Sequence, residues 1–280
     1  MVKILAVIFM TLDHIGAYFG AYLSPNLYLV LRMVGRLAFP IFAYNVALGY
    51  RRTGNFFRYG LRLFGWGMVA EVIMRWARQE MGAESHPNVL FTLALGLVFI
   101  IAYELFTHGN YDRLVRLELI QDTPGEIKLP HQYRFNLGFE MKPHLAMALG
   151  ILFMGLSLWA GWHFETDYGE YGILMIFLFH QALKKPQEDQ FKTALLYQSF
   201  FHLMLLSLAY YLHYFQVLPE GFLYINDIQG LAVLSVFIIF KLPERFPQPD
   251  QRPGRLQKYF FYLYYPLHLV VMALIYKYLL

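Results

Sequence analysis

Lys3-Ile4-Leu5-Ala6-Val7-Ile8-Phe9-Met10-Thr11-Leu12-Asp13-His14-Ile15-Gly16 is the stretch that decides the fold. It is long and apolar enough to belong to a bilayer-crossing helix, yet Asp13 and His14 stand near its middle. Ionisable groups at that depth are costly, so they turn toward a bundle interior and often carry function. The absence of a small-residue cleavage site, together with these polar residues, reads as a retained helix and not a cleaved leader.

The pattern repeats outward from this stretch. The chain has 280 residues, of which 58% are hydrophobic and 19% aromatic. Apolar runs of roughly 17–25 residues recur along it, the mark of transmembrane helices. The expected fold is all-α: a polytopic integral membrane helix bundle of about nine spans, with a range of about 8–10. They cover 3–23, 27–50, 57–78, 88–107, 143–162, 168–184, 193–215, 226–242 and 258–279. Turn chemistry or charge marks the breaks: Ser24-Pro25-Asn26, Arg51-Arg52-Thr53-Gly54-Asn55, and Pro243 to Gly254. Residues 1–280 read as one membrane domain. Its longest non-membrane stretch, 108–142, is a cytoplasmic loop in this topology, with a surface helix expected over Leu114 to Ile120. Leu129 to Arg134 reads as irregular loop.

Charge sets the orientation. Lys3, Arg51/Arg52/Arg58, Lys184/Lys185/Lys192 and Lys241/Arg245/Arg252/Arg255/Lys258 fall on one side, while His163 to Asp167 and Pro219-Glu220-Gly221 on the other hold no Lys or Arg. The positive-inside rule then places the N-terminus in the cytoplasm. Cysteine is absent, which excludes disulfides and thiol chemistry. No internal repeat is visible, which weighs against an inverted-repeat transporter. The net charge of +4 is modest and no nucleic-acid partner is expected.

Polar residues inside the spans form the informative set. Arg32 and Arg36 are four apart and share a helix face. At 1.5 Å per residue Arg36 lies roughly 22 Å from the cytoplasmic end of its span, and His14 and His268 lie roughly 16 Å deep. These depths overlap enough for one polar cluster. Asp13 and Arg36 are natural partners, since neither charge can sit alone in hydrocarbon. Adjacent helical residues point in different directions, so Asp13 is expected to anchor Arg36 and leave His14 to act. Glu71 can pair with Arg75 four residues on, and Arg62 reads as a residue reaching for the interface.

Several blocks resemble the TraX family, which is named for a protein that acetylates conjugative pilin. They are Lys3 to Ala6 with Met10 to Gly16, Gly35-Arg36-Leu37-Ala38-Phe39-Pro40-Ile41-Phe42-Ala43, Asn88 to Leu93 with Gly96-Leu97, Asp167-Tyr168-Gly169 with Gly172, and Lys258 to Leu269. The family falls within a wider group of transmembrane acyltransferases. The resemblance implies a multi-pass protein of a bacterial inner membrane, acetyl-CoA as acyl donor, and a peptide amine or a sugar as acceptor. It makes His14 the catalytic candidate. Acyl transfer needs a base, a role histidine fills, and a donor for the developing oxyanion. Arg36 is the first candidate donor, with Tyr265 or His268 second, and Asp13 completes the catalytic set. Arg51, Arg52, Arg58, Lys184 and Lys185 are the available cations for the coenzyme A phosphates. Glu71 and Asp167 join Tyr265 as substrate-site candidates, and no metal is expected. The alternative is a proton-coupled membrane transporter using Asp13, His14, Arg36 and Glu71 as a relay.

Overall fold

The computed structural model describes residues 2–53, 55–83, 86–111, 115–116, 140–215, 227–245 and 255–279. The reading of 129–134 as loop, the remainder of the expected surface helix at 114–120 and the stretch at 219–221 lie outside the described residues.

Among the described residues ten α-helices follow one another: α1 (Val2–Phe19), α2 (Pro25–Gly35), α3 (Ala38–Arg52), α4 (Phe56–Glu80), α5 (Val89–Tyr111), α6 (Pro143–His163), α7 (Gly169–Leu183), α8 (Gln187–Tyr214), α9 (Ser235–Arg245) and α10 (Arg255–Leu279). Short 3-10 segments, Gly20–Tyr22 and Asp227–Leu234, follow α1 and lead into α9. In place of a surface helix, Val115–Arg116 pairs antiparallel with Glu140–Met141. Each expected span thus falls on helical structure.

Six helical spans among the described residues are long and apolar enough to cross a membrane: Val2–Tyr22, Pro25–Arg52, Val89–Thr107, Pro143–His163, Gln187–Leu212 and Tyr259–Leu279. The other three expected spans fall short for identifiable reasons. α4 carries Arg58, Arg62, Glu71, Arg75, Arg78 and Glu80, α7 has 15 residues, and the 226–242 span is half 3-10 helix. α4 nevertheless exposes Leu61, Phe64, Met68 and Val72 at helical spacing, the pattern of a helix with one lipid-facing stripe. On α8, Phe200 and Leu203 are likewise exposed. Such surfaces are normal where the solvent is hydrocarbon.

The span read as 27–50 is interrupted. Ser24 caps α2, its Oγ accepting from the N–H of Leu27 at 3.4 Å, and Pro25 occupies the first turn. α2 stops at Gly35, and Arg36-Leu37 form a turn before α3. Pro40 explains the break. It lacks the N–H that would continue the ladder to the carbonyl of Arg36, but it is tolerated in the first turn of α3.

The chain divides into two compact units, Met1–Phe42 with Ala77–Ala83 and Gln181–Leu280, and Ala43–Trp76 with Glu84–His180. In the first unit α1 packs against α2, α9 and α10, and the Asp227–Leu234 segment packs against α2 and α8. The face α1 buries is Ala6, Val7, Met10, Asp13 and Gly16, so a carboxylate interrupts an otherwise apolar stripe of period 3.6. In the second unit α5 packs along α6, where Gly150 lies so close that a Cβ would sit 2.7 Å from the carbonyl oxygen of Ala102. Small residues at such crossings let membrane helices approach without a hydrophobic drive.

Candidate functional site

The first unit gathers polar side chains from α1, α2, α10 and the Asp227–Leu234 segment. Arg36 Nη2 donates to both oxygens of the Asp13 carboxylate, at 2.8 and 3.0 Å. Arg32 joins from one turn earlier, its Nη1 2.9 Å from Asp13 Oδ1 and 3.4 Å from the Asp13 carbonyl oxygen. Arg36 also donates from Nη1 to Gln229 Oε1 at 3.2 Å and from Nε to the carbonyl of Arg32 at 3.3 Å. Asp13 and Arg36 are each only 9% exposed. A buried charge without a partner is strongly destabilising, and here each has at least one. Two guanidiniums face one carboxylate, so this trio retains one net positive charge.

The close approach has a local cause. A Cβ on Gly35 would fall 2.2 Å from Asp13 Oδ1 and 2.3 Å from its Cβ. Only glycine at that position lets α1 lay Asp13 across the end of α2, one residue before Arg36.

His14 follows on the next position of α1. Its Nδ1 lies 2.6 Å from Nε2 of His268 on α10. The ring planes are 4° apart with centres 4.9 Å apart. Parallel rings whose nearest atoms are this close cannot be stacked face to face, so they meet edge to edge in one plane, joined by a hydrogen bond. Nδ1 of His268 is 3.0 Å from the carbonyl oxygen of Tyr264. The ring of Tyr264 lies parallel to His268 with centres 5.4 Å apart. Its hydroxyl contacts Thr11 Oγ1 at 2.8 Å. Thr11 already spends its single proton on the carbonyl of Val7 at 2.8 Å, so Tyr264 is the donor. His268 is buried and His14 half-buried. Among the described residues, Nε2 of His14 takes no hydrogen bond.

The other expected site residues have different surroundings. Tyr265 is buried, its ring centre 6.1 Å from that of His268. Glu71 belongs to the second unit, where Oε2 accepts from the backbone N and from Nδ2 of Asn88, both at 2.9 Å, and Oε1 accepts from Arg75 Nε at 3.4 Å. Asp167 belongs to the same unit. Its N–H donates to the carbonyl of Pro87 at 2.9 Å and its own carbonyl accepts from Thr92 Oγ1. These bonds fix the turn in which Tyr168 and Gly169 take left-handed backbone, at φ 67° and 38°. Arg51, Arg52 and Arg58 flank the α3–α4 turn in the second unit, and Lys184 and Lys185 are exposed after α7 in the first.

Sequence reading missed three features. Arg32 shares Asp13 with Arg36, and Gln229 reaches Arg36 from a 3-10 turn. In the second unit Nε2 of His180 lies 2.7 Å from Oε1 of Glu104, and the ring of Tyr50 meets His180 edge-on at 5.1 Å. His180 and Glu104 each stand within about a turn of the same expected membrane face, a signal that could have paired them.

A multi-helix membrane protein with charges and imidazoles gathered in the interior of a unit is the class this architecture defines. The family described as TraX protein matches residues 1–115, the segment that carries Asp13, His14, Arg32, Arg36 and Glu71. The TraX resemblance is therefore shown over that N-terminal part. The chain is also 33% identical over 107 residues to a protein of Dichelobacter nodosus named probable fimbrial assembly protein FimC, serogroup H1. That match spans 35% of this chain and 43% of the fimbrial protein, so it covers less than half of either. No solved structure matches.

Proposed function

We propose that the chain is a membrane-embedded acyltransferase that moves an acetyl group from acetyl-CoA to an amine or hydroxyl acceptor, in the service of fimbrial or pilus assembly. The observation that carries this reading is His14 itself. It is half-buried, bonded to a second imidazole, and adjacent to a carboxylate held by two guanidiniums. It lies inside the TraX-matching segment.

In the proposed reaction His14 takes the proton of the acceptor as its nitrogen or oxygen attacks the thioester carbonyl carbon. The carbonyl oxygen becomes anionic in the tetrahedral intermediate. The surplus positive charge of the Arg32–Asp13–Arg36 trio stabilises it, because preorganised charge in a dry site needs no reorganisation. The intermediate collapses by breaking the carbon–sulfur bond, and the departing thiolate takes the proton back from His14. The products are the acetylated acceptor and coenzyme A. Arg36 is heavily committed to Asp13 and Gln229, so it acts here as part of a charged group more than as a single donor. The coenzyme A phosphates are assigned to Lys184 and Lys185, the exposed cations after α7 in the first unit. An N-terminus on the cytoplasmic side of an inner membrane gives these cations access to the donor. The fimbrial relative favours a peptide amine over a sugar as acceptor.

Equilibrium binding of acetyl-CoA to the purified protein tests the reading. We expect saturable binding by the wild type and by His14→Ala, since His14 acts in the chemical step. No binding by folded wild type would overturn it.

A further inference from the structure

We propose that the carbonyl of Tyr264, His268 and His14 form a relay that fixes the proton on each ring and leaves Nε2 of His14 as the working base. His268 is a positioning residue that acts through His14.

The argument starts at the atom whose role admits no choice. A backbone carbonyl oxygen only accepts, so Nδ1 of His268, 3.0 Å from the Tyr264 carbonyl, must carry a proton. In a neutral imidazole one nitrogen donates and the other accepts. Nε2 of neutral His268 is therefore a bare lone pair. That lone pair lies 2.6 Å from Nδ1 of His14 in a shared ring plane. For the contact to be a hydrogen bond, Nδ1 of His14 must donate. The lone pair of His14 is then left on Nε2, the nitrogen that takes no partner among the described residues. One carbonyl thus dictates the tautomer of two rings in sequence.

The neighbouring contacts hold the relay in register. Tyr264 lies parallel to His268 and is tethered to α1 by its hydroxyl on Thr11. Because α1 also carries His14, three residues on, the tether fixes the separation between the two helices that the imidazoles bridge. Orientation of a base through its far nitrogen is the role a carboxylate plays in hydrolase triads. A neutral imidazole in that place orients without adding a negative charge, beside a trio whose surplus charge is positive. This inference rests on the acyltransferase reading only for the use made of the base; the tautomers stand on geometry alone.

Nitrogen-15 NMR of the full chain, labelled at histidine and held in lipid nanodiscs, tests the relay. His14→Ala and His268→Ala assign the two resonance sets among the ten histidines. We expect protonated Nδ1 and bare Nε2 on both rings in the wild type. We expect the same tautomers in Tyr264→Phe, which keeps the carbonyl. A proton on Nε2 of His14 with a bare Nδ1, or a doubly protonated His268, would overturn the relay whatever the activity. In transfer assays, His268→Ala should lower kcat about 100-fold with KM for acetyl-CoA unchanged. His268→Gln, whose carbonyl can accept from Nδ1 of His14, should restore at least a tenth of the loss, a rescue that a merely packing residue would not show. An equal loss in both variants would count against positioning. The expected tautomers without any acyl transfer would leave the relay standing and remove the acyltransferase reading.

Discussion

Asp13 in the first unit lies between Arg32 and Arg36, whereas Glu71 in the second accepts from the exposed Arg75 and from the main-chain and side-chain amides of Asn88. Both are buried carboxylates on helices of the TraX-matching segment, and the sequence presents them alike. Their surroundings differ in kind. Glu71 gathers the start of α5 through the main-chain and side-chain amides of Asn88. Asp13 faces two cations, and next to it stands an imidazole whose Nε2 takes no hydrogen bond among the described residues. Closed polar contacts specify a fold. The proposed reaction is assigned to the cluster at Asp13, with its surplus charge and its imidazole.

Substitutions can break this contrast, and the largest effect is expected at Asp13. Asp13→Ala leaves two guanidiniums facing each other in the interior. It should cost about 3–5 kcal/mol of stability, because each loses its counter-charge. Chemical unfolding in detergent would register this. Gly35→Ala should cost about 1–3 kcal/mol by overpacking, since the added methyl would meet Asp13 Oδ1 at 2.2 Å. Transfer should fall with it, because the methyl displaces Asp13 from Arg36. A variant that keeps both stability and transfer would show that the close approach is dispensable. Glu71→Ala strands the donors of Asn88 and should cost about 1–3 kcal/mol. In protein that remains folded, its transfer rate should stay within a few-fold of wild type. A loss of transfer there would erase the distinction between the two carboxylates. Thr11→Val removes the acceptor for the Tyr264 hydroxyl together with the donor to the Val7 carbonyl and should cost about 1 kcal/mol, visible as a small drop in Tm.

The helices were legible in the chain because apolar runs of membrane length leave little choice. All nine expected spans fall on helical segments. The interruption of the second span was not read, although Pro40 lay in view, because apolar length alone favours a continuous helix. Depth arithmetic placed Asp13 near Arg36, and the structure pairs them. It paired Asp13 with Arg36 alone, whereas Arg32, on the same face, reaches the same carboxylate. Gln229 stands among the polar residues inside the spans, but its contact with Arg36 was out of reach for a different reason. Its segment is a 3-10 helix, so neither its depth nor its facing follows from an α-helical count. Glu104 and His180 escaped notice because each stands near the end of its span, where charged residues read as interface groups. The edge-to-edge meeting of His14 and His268 depends on helix order in the bundle, which periodicity does not carry.

The most direct measurement is acetyl transfer from radiolabelled acetyl-CoA by purified protein in nanodiscs, comparing wild type, His14→Ala and Glu104→Gln at matched folded fraction. We expect His14→Ala to lose transfer by about 10²–10⁴-fold and Glu104→Gln to retain it. Full transfer by His14→Ala, or loss confined to Glu104→Gln, would contradict the assignment of the chemistry to the first unit.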